Sequence, residues 1–350
     1  SSIMLGDATT GTIDAANYNT GVGVDVFEDL TSGDNNAAFG FFALGNNTSG
    51  GNNTMVGAYA GALNIDDADN TAVGYAANYP DGGSRVTAVG SQALNANTAN
   101  DNTAVGFAAM TATTTGHSNT AMGKRALQTN TTGIQNTSLG ASSMSANTEG
   151  ATNTAVGENA LASNTTASSN TAVGSAALTT NTTGTANVAF GSLSADANTT
   201  GSYNTAIGYG TLTSNTTGHD NTACGINSLA ANTTAHYNTA VGSGAMEGCT
   251  TGEYNTAVGN LAMDAVLTGN FNTAIGRAAL GANTTGSSNC AVGINSLGVN
   301  TTGNSNCAMG DSALDANTTA SGSIAIGDNA LGRATTADYN TAVGHAAGDA

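Results

Sequence analysis

A seventeen-residue unit runs through the whole chain and constrains its fold more than any other feature. Residues 170–186 read NTAVGSAALTTNTTGTA, and the same frame recurs from SIMLG at Ser2 to NTAVG at Asn340, with two steps of sixteen around Val86. That makes 21 repeat starts and leaves no stretch for a separate domain. Units this short contact mainly their neighbours, so residues 1–350 read as a single repeat array, not as two or three globular domains.

Number the frame from the Asn of NTAVG as position 1. Position 5 is Gly in all 21 copies, among them Gly6, Gly74, Gly174, Gly259 and Gly344. Such invariance within one chain marks a corner that needs positive φ or has no room for a Cβ. Position 4 is always apolar, as at Val173, Phe190, Ile207 and Met309, and once is Cys224. Position 3 is Ala in 17 copies, and position 2 is usually Thr, with Ile3, Val188 and Ile324 as exceptions. The two-residue period of a strand puts positions 2 and 4 on one face and position 3 on the other. The large side chains at position 4 are expected to fill the core, leaving the Ala column outside. Position 9, which is Leu, Met or Phe in 16 copies (Leu161, Leu178, Leu229, Leu314), is expected to supply a second inward anchor.

Helices are excluded, because Gly and the NTT cluster recur too closely for a stable amphipathic helix. The remaining solution is an all-β fold, a parallel β-solenoid of about 21 coils with one 17-residue repeat per coil. Like residues then stack at about 4.8 Å, and the array spans on the order of 100 Å. Position 1 is Asn in 18 copies; turn chemistry explains it, with a stacked amide ladder as the second reading. Two large anchors per coil make a thin core, so the flat Ala column is expected to pack against further copies in a homotrimer or filament.

Charge narrows the partners. Charged residues are 8% of the chain, and the net charge of −18 sets 23 acids against Arg85, Lys124, Arg125, Arg277 and Arg333. Nucleic acid would require a basic stripe and is excluded as a partner. No apolar run approaches the roughly 18 residues of a membrane span, and no signal peptide is visible. The chain begins one residue before a repeat and stops eleven residues into another. It therefore reads as a segment of a longer fibre.

The copies SIAIG at Ser323–Gly327 and SIMLG at Ser2–Gly6 resemble the head repeats of trimeric autotransporter adhesins. The full pattern NTAVGxxALxxNTTGxx is similar to repeat arrays of phage tail fibres and tail-fibre-like surface proteins, and this likeness covers essentially the whole chain. It departs from the adhesin heads in having a longer repeat. The resemblance implies a left-handed β-roll in a homotrimeric fibre, located outside the cell, on its surface or on a virion.

Catalytic constellations, cofactor motifs and metal-ligand sets do not appear in the sequence. His117, His219 and His236 all take position 16, a turn slot that reads as solvent-facing, and only His345 lies elsewhere. Stacked His219 and His236 lack a recurring third ligand. NIDDADN at residues 64–70 has no calcium-loop spacing. Cys290 and Cys307 occupy position 2 on consecutive coils and form the disulfide candidate. Cys224, in the expected core slot, reads as buried, whereas Cys249 stands where the frame usually writes the Asn of NTT and reads as exposed.

Position 12 begins an Asn-Thr-Ser/Thr sequon at Asn47, Asn130, Asn164, Asn181, Asn198, Asn215, Asn232, Asn283, Asn300 and Asn317. These are the glycosylation candidates if the slot is an outward loop, while plain turn chemistry is the competing reading. Leu30, Cys249 and Val266 interrupt the row. Aromatics at position 17 (Tyr203, Tyr237, Tyr254, Phe271, Tyr339) are read either as sugar-stacking surfaces or as packing.

Together these features describe a structural, non-enzymatic fibre shaft that spaces or presents a binding tip. One alternative is a glycan-coated filament or a laterally glycan-binding adhesin that engages a cell-surface glycan receptor. The minor alternative is an ice-binding solenoid with Thr columns at positions 2, 13 and 14, but adjacent threonines point to opposite faces and spoil a flat array.

Overall fold

The computed structural model describes residues 2–5, 15–80, 83–265 and 267–349. Gly6 and Val266 therefore lie outside the described residues. The fold is all-β, a parallel β-solenoid with no helix among the described residues. Each copy of the frame contributes one three-residue strand at positions 2–4, from Ile3–Leu5 to Thr341–Val343. The chain divides into two compact units, Ser1–Asn170 and Thr171–Ala350, built on the same frame.

Within each unit consecutive strands pair in parallel, with like residues in register: Thr137, Ser138 and Leu139 lie beside Thr154, Ala155 and Val156 in the first. In the second, Thr205, Ala206 and Ile207 lie beside Thr222, Ala223 and Cys224. The ladder extends well beyond the strands. Thr205 N–H donates to Asn221 O at 2.8 Å, Gly208 N–H to Phe190 O at 2.8 Å and Thr216 N–H to Thr233 O at 2.8 Å. Turns are thus hydrogen-bonded coil to coil like strands, which satisfies main-chain groups that a short strand leaves over.

The invariant glycine at position 5 is required twice over. Its φ is +137° at Gly174, and a Cβ there would lie 2.4 Å from the carbonyl oxygen of Gly191 in the next coil. Positions 7, 9 and 17 also adopt left-handed backbone, here mostly with ordinary residues: Ala176 (φ 58°), Leu178 (φ 51°) and Tyr203 (φ 59°). Such residues are individually costly and persist only where their surroundings over-determine them. Coil-to-coil hydrogen bonding supplies that constraint.

The interior reverses the expected assignment of the strand faces. Ala172, Ala189, Ala206 and Ala223 are fully buried, whereas the position-4 side chains face outward. Phe190 retains 56% of its surface. The reason is the closeness of the opposite wall, made by positions 8 and 9. A Cβ on Gly21 would lie 2.8 Å from Val26 Cγ1 and 3.0 Å from the Phe27 ring, so with Val at position 8 even a methyl group is excluded, whereas coils with Ala at position 8, such as Ala177, admit the single methyl of Ala172. Ser138 makes the same point, since its hydroxyl hydrogen-bonds with Ser143, a position-3 group meeting position 8 across the core. Position 9 is the inward anchor as expected, with Leu161, Leu178, Leu229 and Leu314 all fully buried. The Ala column is accordingly core and cannot serve as an inter-chain face.

Candidate functional site

Two asparagine columns run through the interior of each unit. At position 1, Asn136 Nδ2 donates to Gly150 O at 2.8 Å, and its backbone N–H donates to Asn119 Oδ1 at 2.9 Å. The amide thus ties its own coil closed and accepts from the next one. This is the ladder reading of position 1 and the turn reading at once.

Position 12 makes the second column, and it corrects the expected outward loop. All ten sequon asparagines, Asn47, Asn130, Asn164, Asn181, Asn198, Asn215, Asn232, Asn283, Asn300 and Asn317, are fully buried. Each donates its Nδ2, the atom that a sugar would modify, to the carbonyl three residues on, at 2.8–3.2 Å. Coil to coil, Asn215 Nδ2 also reaches Asn198 Oδ1 at 2.7 Å, and Asn232 Nδ2 reaches Asn215 Oδ1 at 2.8 Å. The physical reason is that the turn folds over its own amide, so Asn closes the bend from within. A sequence signal for this existed. Asn147 is followed by Thr-Glu, which is no sequon, yet it keeps the Asn and makes the same bonds to Asn130 Oδ1 and Gly150 O.

The cysteines follow from this inversion. Cys249, expected outside, is fully buried in the position-12 column with its thiol 3.5 Å from Gly252 O. Burial pushes its pKa up to about 12, slightly opposed by that hydrogen bond. Cys224, expected inside, stands half-buried on the outward face. Cys290 and Cys307 are in register on adjacent strands, both half-buried free thiols. Burial and then the neighbouring Cys307 sulfur raise the Cys290 pKa.

At the turn corner, the His219 and His236 rings stack at 3.7 Å, and His219 Nδ1 lies 2.7 Å from Asp220 Oδ2. Burial, followed by the neighbouring His219, lowers the His236 pKa. Among the described residues no group of three ligating side chains surrounds this pair. Tyr237, Tyr254 and Phe271 stack face to face, with centroids 4.9 and 5.2 Å apart and planes within 15°. Tyr254 is covered on both faces by its neighbours in this stack, which favours the packing reading of this column.

The outward face of the sheet is a third distinct surface. It carries Thr at most position-2 sites and Val, Ile, Leu, Met or Phe at every position 4 except Cys224, and no charged residue occurs at positions 1–5 in any copy. In the second unit Ile207, Ile275, Met309 and Ile326 stand exposed along it. Among the described residues no helix is long and apolar enough to cross a membrane. No protein-family model matches the chain, and no curated protein matches it.

Proposed function

We propose that the chain is a structural shaft segment of an extracellular, cell-surface or virion fibre, assembled as a homotrimer through the outward sheet face. A repeat β-solenoid is an architecture suited to such a role. The observation that carries the reading is that face: uncharged in every repeat of a chain with net charge −18, and apolar at every position 4. Parallel sheets occur almost only with both faces covered, and here only the Ala side is covered by the chain itself. A second and third copy present the same periodic, uncharged surface in matching register. Three is the copy number that the resemblance to adhesin heads and tail fibres implies.

Sedimentation velocity and light scattering test this. The chain should behave as a trimer, and Ile207→Asp with Ile275→Asp should convert it to monomer while the β circular dichroism is kept, because both side chains are outside the core. A chain that is monomeric at micromolar concentration, or an unaltered trimer in the double variant, overturns the reading.

A further inference from the structure

The repeat loses its regularity at one place, where coils 70–85 and 86–101 are each one residue short. The same region holds the single proline, Pro80, and a concentration of aromatic side chains outside the position-17 column. Tyr59 sits at its centre. Its ring centroid lies 5.2 Å from Phe41, 6.1 Å from Tyr75 and 6.3 Å from Tyr79, with interplanar angles of 83°, 84° and 63°. Rings meeting edge to face leave flat faces uncovered, unlike the parallel stack of Tyr237, Tyr254 and Phe271. Tyr75 retains 55% of its surface.

Tyr59, Tyr75 and Tyr79, with Ala76, Gln92 and Asn95, line a cavity of about 270 Å³. The regular stacking brings these residues together at positions 6, 7 and 10 of successive coils: Tyr79 belongs to the first short coil, and Gln92 and Asn95 to the second. Pro80 restricts the backbone of Tyr79 to extended conformations. Asn95 Nδ2 donates to Ala76 O at 3.1 Å, anchoring the amide and leaving its oxygen as an acceptor. The Gln92 amide has no hydrogen-bond partner among the described residues, so it offers both a donor and an acceptor.

No charged side chain lines the cavity, which disfavours phosphates, carboxylates and sulfates. A ligand matching aromatic faces on one side and amides and phenolic hydroxyls on the other presents a C–H face and several hydroxyls while carrying no charge. We infer that this is a binding site for a neutral saccharide. One hexose ring packs on Tyr75, and its hydroxyls bond to Gln92 and Asn95. The volume, just below the roughly 300–1,000 Å³ of drug-sized sites, suits one or two rings of a longer chain. The site uses positions 6, 7 and 10, off the sheet face proposed for self-association, so the two proposals fail separately.

The test titrates the 350-residue chain with maltohexaose, cellohexaose and hexa-N-acetylchitohexaose, read by saturation-transfer NMR. At least one should bind, and Tyr75→Ala and Gln92→Ala should each weaken it at least about tenfold, roughly 1.4 kcal/mol. Tyr203→Ala, at an exposed aromatic elsewhere, should leave it unchanged. Both site residues lie on the surface, so unchanged circular dichroism separates lost binding from lost fold. Absence of transfer to all three sugars, or equal binding by Tyr75→Ala, overturns the proposal. Competition by choline also overturns it, making the tyrosines a cation cage instead.

Discussion

Met55 and Gly61 exchange the volumes that the other coils assign the opposite way. Met55 stands at position 3, where the frame usually writes Ala, and Gly61 at position 9, where it usually writes Leu. A Cβ on Gly61 would lie 2.9 Å from both the Met55 Sδ and Cε atoms, so the thioether occupies the space of the missing leucine. The core is a fixed volume shared between two facing slots. Gly61→Leu alone should therefore cost about 1–3 kcal/mol by overpacking, and Met55→Ala alone about 2–5 kcal/mol by leaving a cavity. The double variant restores the common pairing and should approach wild-type stability. Backbone strain does not forbid it, because Leu44 and Leu178 hold the same slot at φ 50° and 51°. Denaturation of the four proteins as a double-mutant cycle checks this, and additive losses would show that the slots are independent.

The position-12 column makes Asn215 structural. Asn215→Ala removes the donor to Asn198 Oδ1 and to Gly218 O, and the acceptor for Asn232 Nδ2. Each unsatisfied buried group costs about 1–3 kcal/mol, so a loss of about 2–4 kcal/mol is expected. Exposed Thr217→Ala should lie within about 0.5 kcal/mol of wild type. Equal stability of the two variants would remove the ladder as a stabilising element.

Two glycines, both at positive φ, separate lack of room from lack of conformational freedom. At Gly174 a Cβ would meet the Gly191 backbone at 2.4 Å, whereas at Gly210 it would meet only the Asn227 side-chain oxygen, at 2.7 Å. Ala176 already holds the position equivalent to Gly210 at φ 58°. Gly174→Ala should lower the melting temperature clearly, with Gly210→Ala close to wild type. Hydrogen exchange around residues 171–191 should rise in the first variant alone.

Cys249 gives a chemical readout of inside and outside. In the folded chain its thiol should resist a bulky maleimide until denaturant is added, while Cys224 labels readily in the monomeric Ile207→Asp/Ile275→Asp background. Labelling of native Cys249 at the rate of Cys290 would contradict the burial. The thiol should also impose a pH dependence. Its ordinary pKa of 9.0 is pushed up to about 12 on folding, so the unfolded chain loses this proton first as pH rises. Stability therefore falls from about pH 9 towards pH 12, by up to about 1.4 kcal/mol per pH unit from this group. Cys249→Ser should flatten the difference curve over that window.

The sequence by itself determined the period, the parallel stacking, the glycine corner and the inward leucine at position 9. Each of these is repeated in nearly every copy, and stacking forces like onto like. It did not determine which strand face is interior. Alternation says only that Ala172 and Val173 point oppositely, and large apolar side chains at position 4 are as compatible with an outer seam as with a core. The tertiary structure decided that, because the turn after Gly174 brings positions 8 and 9 so near the strand that only small side chains such as Ala172 fit between them. The turn that folds over its own amide made Asn181 and Asn215 buried ties instead of surface sequons. The face reversal brought Cys224 to the outward side, and the position-12 turn enclosed Cys249. Likewise, the aromatic cavity was visible in the sequence only as a scattering of tyrosines. Tyr59, Tyr79 and Gln92 lie on three successive coils, and only the stacking of those coils made them neighbours.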